Sequence, residues 1–113
     1  MVLLAISLLV GMTWANTTFS HSRPVQKDFL VPWSAARMFF MNGDNPYSAA
    51  AAQPAQFIYY GRPALQGEDP LLLSIPFPVE LFYFPFALIP DYHLASGLWM
   101  TCLEISLVIL ALL

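Results

Sequence analysis

Charged residues are scarce in this sequence: they make up 10% of its 113 residues, against about 25% in a typical soluble domain. Only four of them are Lys or Arg, and the formal net charge is −3. Nucleic-acid binding is therefore excluded, because contacts between basic side chains and phosphates supply most of its affinity. There is one cysteine, Cys102, so neither a disulfide framework nor a multi-cysteine metal site can form within the chain.

The motifs of soluble enzymes are missing as well. The chain has no Gly-rich phosphate loop, no HExxH zinc motif and no GxSxG nucleophile elbow, and nothing in it indicates a cofactor. Its two histidines, His21 and His93, are far apart in sequence and predict no metal site. Hydrophobic residues, by contrast, make up 58% of the chain. So short a chain buries only part of that apolar surface, and the rest is expected to contact the lipid bilayer or a larger partner.

Hydrophobic residues are concentrated at the two ends of the chain. Residues 94–113 carry one charge, Glu104, and match the thickness of a bilayer, so we predict a transmembrane helix over residues 91–113. Residues 1–15 are uncharged but short, and we predict a transmembrane helix over residues 1–19 rather than a signal peptide, since no basic residue precedes them. Because the last residues are still apolar, we expect a fragment of a longer multi-pass protein, located in the cell membrane.

The side chain of Glu104 would cost a few kcal/mol at the centre of the bilayer. We expect it to face a partner helix, and the alternative is a functional carboxylate. The loop over residues 20–75 holds all four basic residues and is the aqueous or interfacial part of the chain. The sequence therefore predicts an all-α membrane protein with two transmembrane helices flanking a long loop.

Within the loop, apolar residues at helical spacing predict an amphipathic helix over about residues 29–42, lying near the membrane surface. Gly43 is expected to end it as a left-handed C-cap. Ser48 is expected to cap a short helix through the alanines that follow, which Pro54 closes. A Pro-rich juxtamembrane helix is predicted over residues 76–90, kinked at Pro85.

Three short motifs follow one another in the loop. Asp28 and Phe29 come soon after the first apolar run, Ala35-Ala36-Arg37 follows in the predicted helix, and the turn reads Gly-Asp-Asn-Pro-Tyr over residues 43–47. Together they resemble the first external loop of the GT-C class of membrane glycosyltransferases, specifically family 87, the DUF2029 family. The resemblance implies a partial GT-C fold and an external position for the loop.

A Pro-rich stretch downstream extends this resemblance. The family tends to have a Tyr-Pro-x-Pro motif, a run of Leu and Phe, Pro-Phe-Ala-Leu-x-Pro, and a span that opens with Ala-x-x-x-Leu-Trp. The matching residues here are Pro76, Pro78, Pro85-Phe86-Ala87-Leu88-Ile89-Pro90, Ala95, Leu98 and Trp99. Ile75 stands where the family often has Tyr, and Val79-Glu80 interrupts a usually uncharged run.

The resemblance implies a mannosyltransferase, or a related transferase, that takes its sugar from a polyprenyl phosphate carrier. The residue that matches the family's catalytic base is Asp28, which would accept the proton of the acceptor hydroxyl. Lys27 or Arg37 would balance the charge of the donor phosphate. The structural alternatives are that Asp28 only caps a helix beginning at Phe29, and that Arg37 is a solvated or headgroup-facing charge.

A non-enzymatic function is the competing prediction. A small two-span membrane protein whose hairpin packs on a larger complex would have the same composition. If the chain is part of a transferase, we expect it to be inactive alone, because such enzymes hold this loop over many transmembrane helices. The remaining transmembrane helices of the longer protein would then be its partners.

Overall fold

A computed structural model describes residues 1–113 and is helical throughout, without β-strands. The chain divides into two compact units. Residues 1–24 and 89–113 form a pair of long helices, here called the hairpin, and residues 25–88 form the loop unit. The predicted all-α class is confirmed, with two helices long and apolar enough to cross a membrane.

The hairpin consists of α1 (Val2–His21) and α6 (Tyr92–Leu112), which run antiparallel. No residue in the most apolar stretch of α1 is buried inside the protein, so its hydrophobic side chains face outward. That pattern is typical of a helix surrounded by lipid rather than of the core helix of a soluble protein. Asp91 is the N-cap of α6, since its side chain accepts a hydrogen bond from the backbone N–H of Leu94 at 2.7 Å.

The two helices of the hairpin approach most closely at Gly97. A Cβ at this position would lie 2.7 Å from the backbone nitrogen and 2.9 Å from the Cα of Thr17. Both atoms belong to the backbone of α1 and cannot rotate away, so only glycine fits.

We expect Gly97→Ala to push the two helices apart and to destabilise the hairpin by about 1–3 kcal/mol, the usual cost of overpacking. Gly11→Ala is the matched control, because a Cβ there meets nothing within 4 Å. The measurement is disulfide formation between Thr13→Cys and Thr101→Cys in a Cys102→Ser background, since the Thr13 and Thr101 hydroxyls are 3.4 Å apart. Equal rates of disulfide formation with and without Gly97→Ala would contradict the prediction.

The loop unit is built around α2 (Lys27–Arg37), which continues into a π-helical turn (Met38–Asn42). The apolar face of α2 is covered by two further helices of this unit, α3 (Ala49–Tyr60) and α5 (Phe84–Ala87). Leu30 and Ala36 on this face are fully buried. The indole of Trp33 donates a hydrogen bond to the carbonyl of Phe86 at 3.0 Å. The apolar face that the helical spacing predicts therefore forms the core of the loop unit.

The two ends of this helical segment differ in how they are capped. Gly43 ends it with φ = 74°, which confirms the predicted left-handed C-cap. At the other end the N-cap is Gln26 rather than Asp28, and no side chain caps the helix there. The interpretation of Asp28 as the cap of a helix beginning at Phe29 is therefore wrong: Asp28 lies inside the first turn.

The next helix, α3 (Ala49–Tyr60), begins where the sequence predicts and ends later. Ser48 caps it by accepting a hydrogen bond from the backbone N–H of Ala51 at 3.1 Å. Pro54 does not close it, however, and the helix runs on to Gly61, which has φ = 72°. Proline removes one backbone hydrogen bond, whereas continuation of the helix buries Ala55 and Gln56 in the loop unit.

The Pro-rich segment forms three short pieces in place of one kinked helix. They are α4 (Phe77–Glu80), a 3-10 turn (Leu81–Tyr83) and α5 (Phe84–Ala87). Pro85 lies in the first turn of α5, where it lacks the N–H that would continue an α-helix from the preceding turn. The chain stays helical through this segment but tightens before the proline.

A candidate active-site cleft

A cleft of about 530 Å³ opens in the loop unit beside the first turn of α2. The non-helical segment from Asp69 to Ile75 forms another wall of the cleft. Its lining combines charged and apolar side chains. Its lining residues are Lys27, Asp28, Val31, Pro32, Asp69, Leu71, Leu72, Leu73, Ser74, Ile75 and Tyr83.

Asp28 is an exposed residue of this cleft. Its carboxylate takes part in neither of the two salt bridges of the chain. The first turn of α2 places it near the free backbone N–H groups of the helix, where the helix dipole favours negative charge. Asp28 is therefore held at the cleft by its backbone while its carboxylate faces solvent.

Lys27 lies beside it, but its ammonium group has partners. Its Nζ is 3.0 Å from a carboxylate oxygen of Asp69 and lies over the ring of Tyr59 at 4.9 Å from the centroid. The hydrogen bond to Asp69 raises the pKa of Lys27 above its ordinary value. Of the three predicted site residues, Lys27 and Asp28 thus share the cleft, and Lys27 is already paired there.

Asp69 is a second carboxylate of the cleft that the sequence analysis did not predict as a functional residue. One of its oxygens accepts a hydrogen bond from the backbone N–H of Leu71 at 2.8 Å, and the other accepts from Lys27. These bonds, the backbone one first, lower the pKa of Asp69 below its ordinary value. An Asp-Pro pair is locally typical of a turn, and nothing in the neighbouring sequence connects Asp69 with Lys27.

The turn that Asp69 stabilises contains an unusual backbone conformation. Leu71 has φ = 54°, in the left-handed region, and is the only residue other than glycine with a positive φ. Such a conformation costs about 1–2 kcal/mol in a non-glycine residue. The side chain of Leu71 is 2% exposed, so its burial and the hydrogen bond to Asp69 hold the strained wall of the cleft in place.

Tyr83 and Glu80 extend the polar part of this region inward. Tyr83 lines the cleft, and its pKa is raised by burial first and then by the charges of Glu80 and Asp28. Glu80 is completely buried, and neither of its carboxyl oxygens has a hydrogen-bond partner. Burial raises the pKa of Glu80 to about 8, although the nearby backbone of Ala36 works in the opposite direction. Glu80 therefore holds its proton through the neutral range.

Arg37 does not reach the cleft. Its guanidinium donates a hydrogen bond to the carbonyl of Ala87 at 2.6 Å and lies over the ring of Trp33 at 5.5 Å from the centroid. These contacts connect the end of α2 with the end of α5. The structure thus separates Arg37 from Asp28, which lies at the opposite end of the same helix.

The Asn-Pro-Tyr turn supports the cleft from outside. The side chain of Asn45 accepts a hydrogen bond from the backbone N–H of Tyr47 at 3.0 Å, which stabilises the turn. The hydroxyl of Tyr47 donates to the carbonyl of Ile75 at 2.7 Å, and Ile75 lines the cleft. This motif therefore positions the cleft wall.

A second group of polar residues lies between the helices of the hairpin. The side-chain amide of Asn16 donates to Glu104 at 2.9 Å and to the hydroxyl of Thr101 at 3.0 Å. Glu104 thus faces a partner helix, which is α1 of the same chain. Its hydrogen bond to Asn16 lowers the cost of placing a carboxyl group among apolar side chains.

The two histidines meet at the end of the hairpin. The rings of His21 and His93 are stacked with their centroids 3.9 Å apart, and the hydroxyl of Ser20 is 2.9 Å from Nδ1 of His93. No group of three or more His, Cys, Asp or Glu residues in the chain is placed to hold a metal ion. This contact could have been predicted from sequence by pairing the two predicted spans antiparallel, which places the end of the first beside the start of the second.

No family model, no curated protein and no solved structure matches the chain. The chemistry available therefore has to be argued from the cleft itself. An exposed carboxylate can accept a proton, a neighbouring ammonium can pair with a phosphate, and an apolar wall can contact a hydrocarbon chain.

Proposed function

We propose that the chain is the N-terminal part of a GT-C-type membrane glycosyltransferase, multi-pass and located in the plasma membrane. In this proposal the donor is a sugar, most simply mannose, on a polyprenyl phosphate. The observation that carries the proposal is the position of Asp28, an exposed carboxylate at the mouth of a cleft with Lys27 on one side and apolar side chains on the other.

The proposed reaction needs one base. The acceptor hydroxyl attacks the anomeric carbon of the sugar, the bond from that carbon to the phosphate oxygen breaks, and the polyprenyl phosphate leaves with the electron pair. Asp28 takes the proton of the hydroxyl as the new glycosidic bond forms. The exposed position of Asp28 on a rigid helix suits this role, because acceptor and base must meet directly.

Lys27 supplies the positive charge beside the base. In the structure its ammonium group pairs with Asp69 at 3.0 Å, and a donor phosphate would take the place of Asp69 as its partner. The pair is accessible enough for this exchange, since the side chains of Lys27 and Asp69 are 38% and 49% exposed. Asp69 keeps its second hydrogen bond, to the backbone of Leu71, during the exchange.

The polyprenyl chain of the donor needs an apolar contact. The wall opposite α2 offers leucine side chains, among which Leu72 is exposed. A hydrocarbon chain that covers Leu72 removes this surface from water and adds to the affinity at about 25 cal/mol per Å² buried. The cleft therefore contacts both the phosphate and the lipid of the proposed donor.

Binding of the donor is expected to protect the cleft wall. In nanodiscs, Leu72→Cys in a Cys102→Ser background should react more slowly with a water-soluble thiol reagent when polyprenyl phosphomannose is present. A cysteine at Leu65, which lies outside the cleft, is the control and should react at an unchanged rate. Lys27→Gln should remove most of the protection, since it leaves the phosphate unpaired. Protection that persists in the Lys27→Gln variant would contradict the proposed binding mode.

A structural role for the same residues is the second candidate. The observation that favours it is that Lys27 and Arg37 already have partners inside the loop unit. In that case the chain is a small two-span membrane protein without enzymatic activity, and the donor lipid would protect neither cysteine. Turnover by the 113-residue chain alone is not expected under either proposal, because a loop on two spans lacks the support that holds a catalytic geometry.

A further inference from the structure

His21 and His93 face each other at the end of the hairpin from which the chain continues into the loop unit. Their rings are stacked, with the centroids 3.9 Å apart and the planes inclined by 27°. His21 is the last residue of α1 and is exposed, whereas His93 is the second residue of α6 and is half-buried. Since the chain has only these two histidines, the antiparallel pairing of the helices brings both of its imidazoles into one contact.

The contact tolerates neutral rings and a single protonated ring. Nδ1 of His93 lies 2.9 Å from the hydroxyl of Ser20, and a hydroxyl donates to a neutral ring nitrogen or accepts from a protonated one. The face of a neutral aromatic ring also attracts a cation that lies over it. The first proton taken up by the pair therefore leaves the stack intact.

A second proton would place two like charges on rings whose centroids are 3.9 Å apart. At this separation the repulsion between unit charges exceeds the thermal energy even at the dielectric constant of water. Salt screens it little, because the Debye length in physiological salt is about 8 Å. Imidazole changes its charge between about pH 5 and pH 8, so mild acid is enough to bring the second proton onto the pair.

The other polar groups at this end of the hairpin do not cancel that repulsion. The carboxylate that acts on His93 belongs to Asp91, and one of its oxygens already accepts a hydrogen bond from the backbone of α6. Tyr92 contacts His93 through its ring, 5.1 Å away between centroids, and a tyrosine is neutral in this pH range. Arg23, two positions after His21, adds a further positive charge. One carboxylate therefore stands against three positive charges when both histidines are protonated.

We propose that the two histidines form a pH-sensitive switch, which keeps the end of the hairpin closed at neutral pH and opens it in acid. Opening is confined to the last turn of α1 and the first turn of α6. One turn deeper, the close approach of Gly97 to the backbone of Thr17 holds the two helices together. The switch belongs to the hairpin alone and does not depend on the proposed transferase activity.

Spin labels measure the opening directly. Nitroxides are attached at Thr18→Cys and Leu94→Cys in a Cys102→Ser background, since both side chains are exposed near this end of the hairpin. In nanodiscs, the distance between the two labels is expected to increase by at least about 2 Å when the pH is lowered from about 8 to about 5. Labels at Leu8→Cys and Leu107→Cys, two exposed residues near the far end, are the matched control and should keep their distance.

The variant His21→Phe keeps a ring against His93 but removes one of the two titrating groups. Because His21 is exposed, its replacement leaves the hairpin folded, and the distance between the labels should then be the same at both pH values. A distance that stays constant in the chain with both histidines would overturn the proposal. An equal increase in the His21→Phe variant would overturn it as well.

Nuclear magnetic resonance gives a second measurement that needs no substitution. The chain contains two histidines, so their ring signals can be followed separately in a chain carrying isotope-labelled histidine. The second proton is expected to bind at least about tenfold more weakly than the first, because the two charges repel each other. Independent binding of the two protons would contradict the switch whatever the spin labels show.

Discussion

Replacement of Asp28 by Asn in the assembled transferase is expected to lower turnover by about 10²–10⁴-fold, the range typical for loss of a general base. The amide keeps the size of the side chain but cannot accept a proton near neutral pH. Expression and membrane insertion should be unchanged, because the residue is exposed and is not the cap of α2. Transfer of labelled mannose from polyprenyl phosphomannose in membranes is the measurement.

The structural consequence of the same substitution should be small. Asp28 lies in the first turn of α2, where loss of its interaction with the helix dipole costs about 0.3–1 kcal/mol. Asp44→Asn is the control, since Asp44 does not line the cleft and should leave turnover nearly unchanged. Near-normal activity of the Asp28→Asn enzyme would exclude this residue as the base and direct attention to Asp69, the other carboxylate of the cleft.

Replacement of Glu80 by Met is expected to stabilise the loop unit by about 3 kcal/mol at pH 7, because the carboxyl group is buried without a hydrogen-bond partner. The folded-state pKa of Glu80, about 8, lies above its ordinary value of 4.5. The folded state therefore binds the proton more tightly than the unfolded state. The stability associated with Glu80 is fully present below pH 4.5, falls as the pH rises towards 8, and is constant above that.

The fluorescence of Trp33 reports on this unfolding. Trp33 is buried in the loop unit, whereas Trp14 and Trp99 belong to the hairpin and are replaced by Phe. Denaturant midpoints are then measured between pH 4 and pH 9. In the Glu80→Met chain the decline in stability across this range should disappear.

Glu68 provides a control whose effect on stability has the opposite pH dependence. It forms a salt bridge with Arg62 at 2.7 Å, and that hydrogen bond lowers the pKa of Glu68 to about 2. Its contribution to stability is therefore present above its ordinary pKa and is lost as the pH falls towards 2. Glu68→Gln should therefore lower the midpoint slightly and evenly above pH 4.5, and should remove the corresponding fall in stability when the measurements are extended to pH 2. A lower midpoint for Glu80→Met than for the unmodified chain at pH 7 would contradict our account of the buried carboxyl group.

The Glu80→Met variant also tests whether Glu80 takes part in the proposed transfer reaction. A buried, unpartnered carboxyl group that lowers stability is an expected compromise only where a chain needs that group for something else. We expect Glu80→Met to keep the fold, so its effect on transfer can be measured in the same stabilised enzyme. A gain in stability with unchanged turnover would show that Glu80 only packs against α2.

Local features of the fold could be predicted from sequence because each depends on a few neighbouring residues. The caps at Ser48 and Asp91 and the left-handed glycine at position 43 follow from hydrogen bonds or backbone angles within one turn. The two long apolar helices follow from composition alone. The start of α2 was predicted less well, because the sequence pattern placed it at Phe29 and the structure begins it at Lys27.

Contacts between residues that are distant in sequence were decided by the tertiary structure. Pro54 stays inside α3 because burial of Ala55 and Gln56 outweighs one lost hydrogen bond. That balance depends on tertiary burial, which cannot be judged from the neighbouring sequence. Lys27 and Asp69 are 42 positions apart, and only the folding of the segment from Asp69 to Ile75 beside α2 brings them together. The burial of Glu80 has the same origin. The sequence shows one acid among apolar residues, and only the packing of α5 and the 3-10 turn against α2 encloses it.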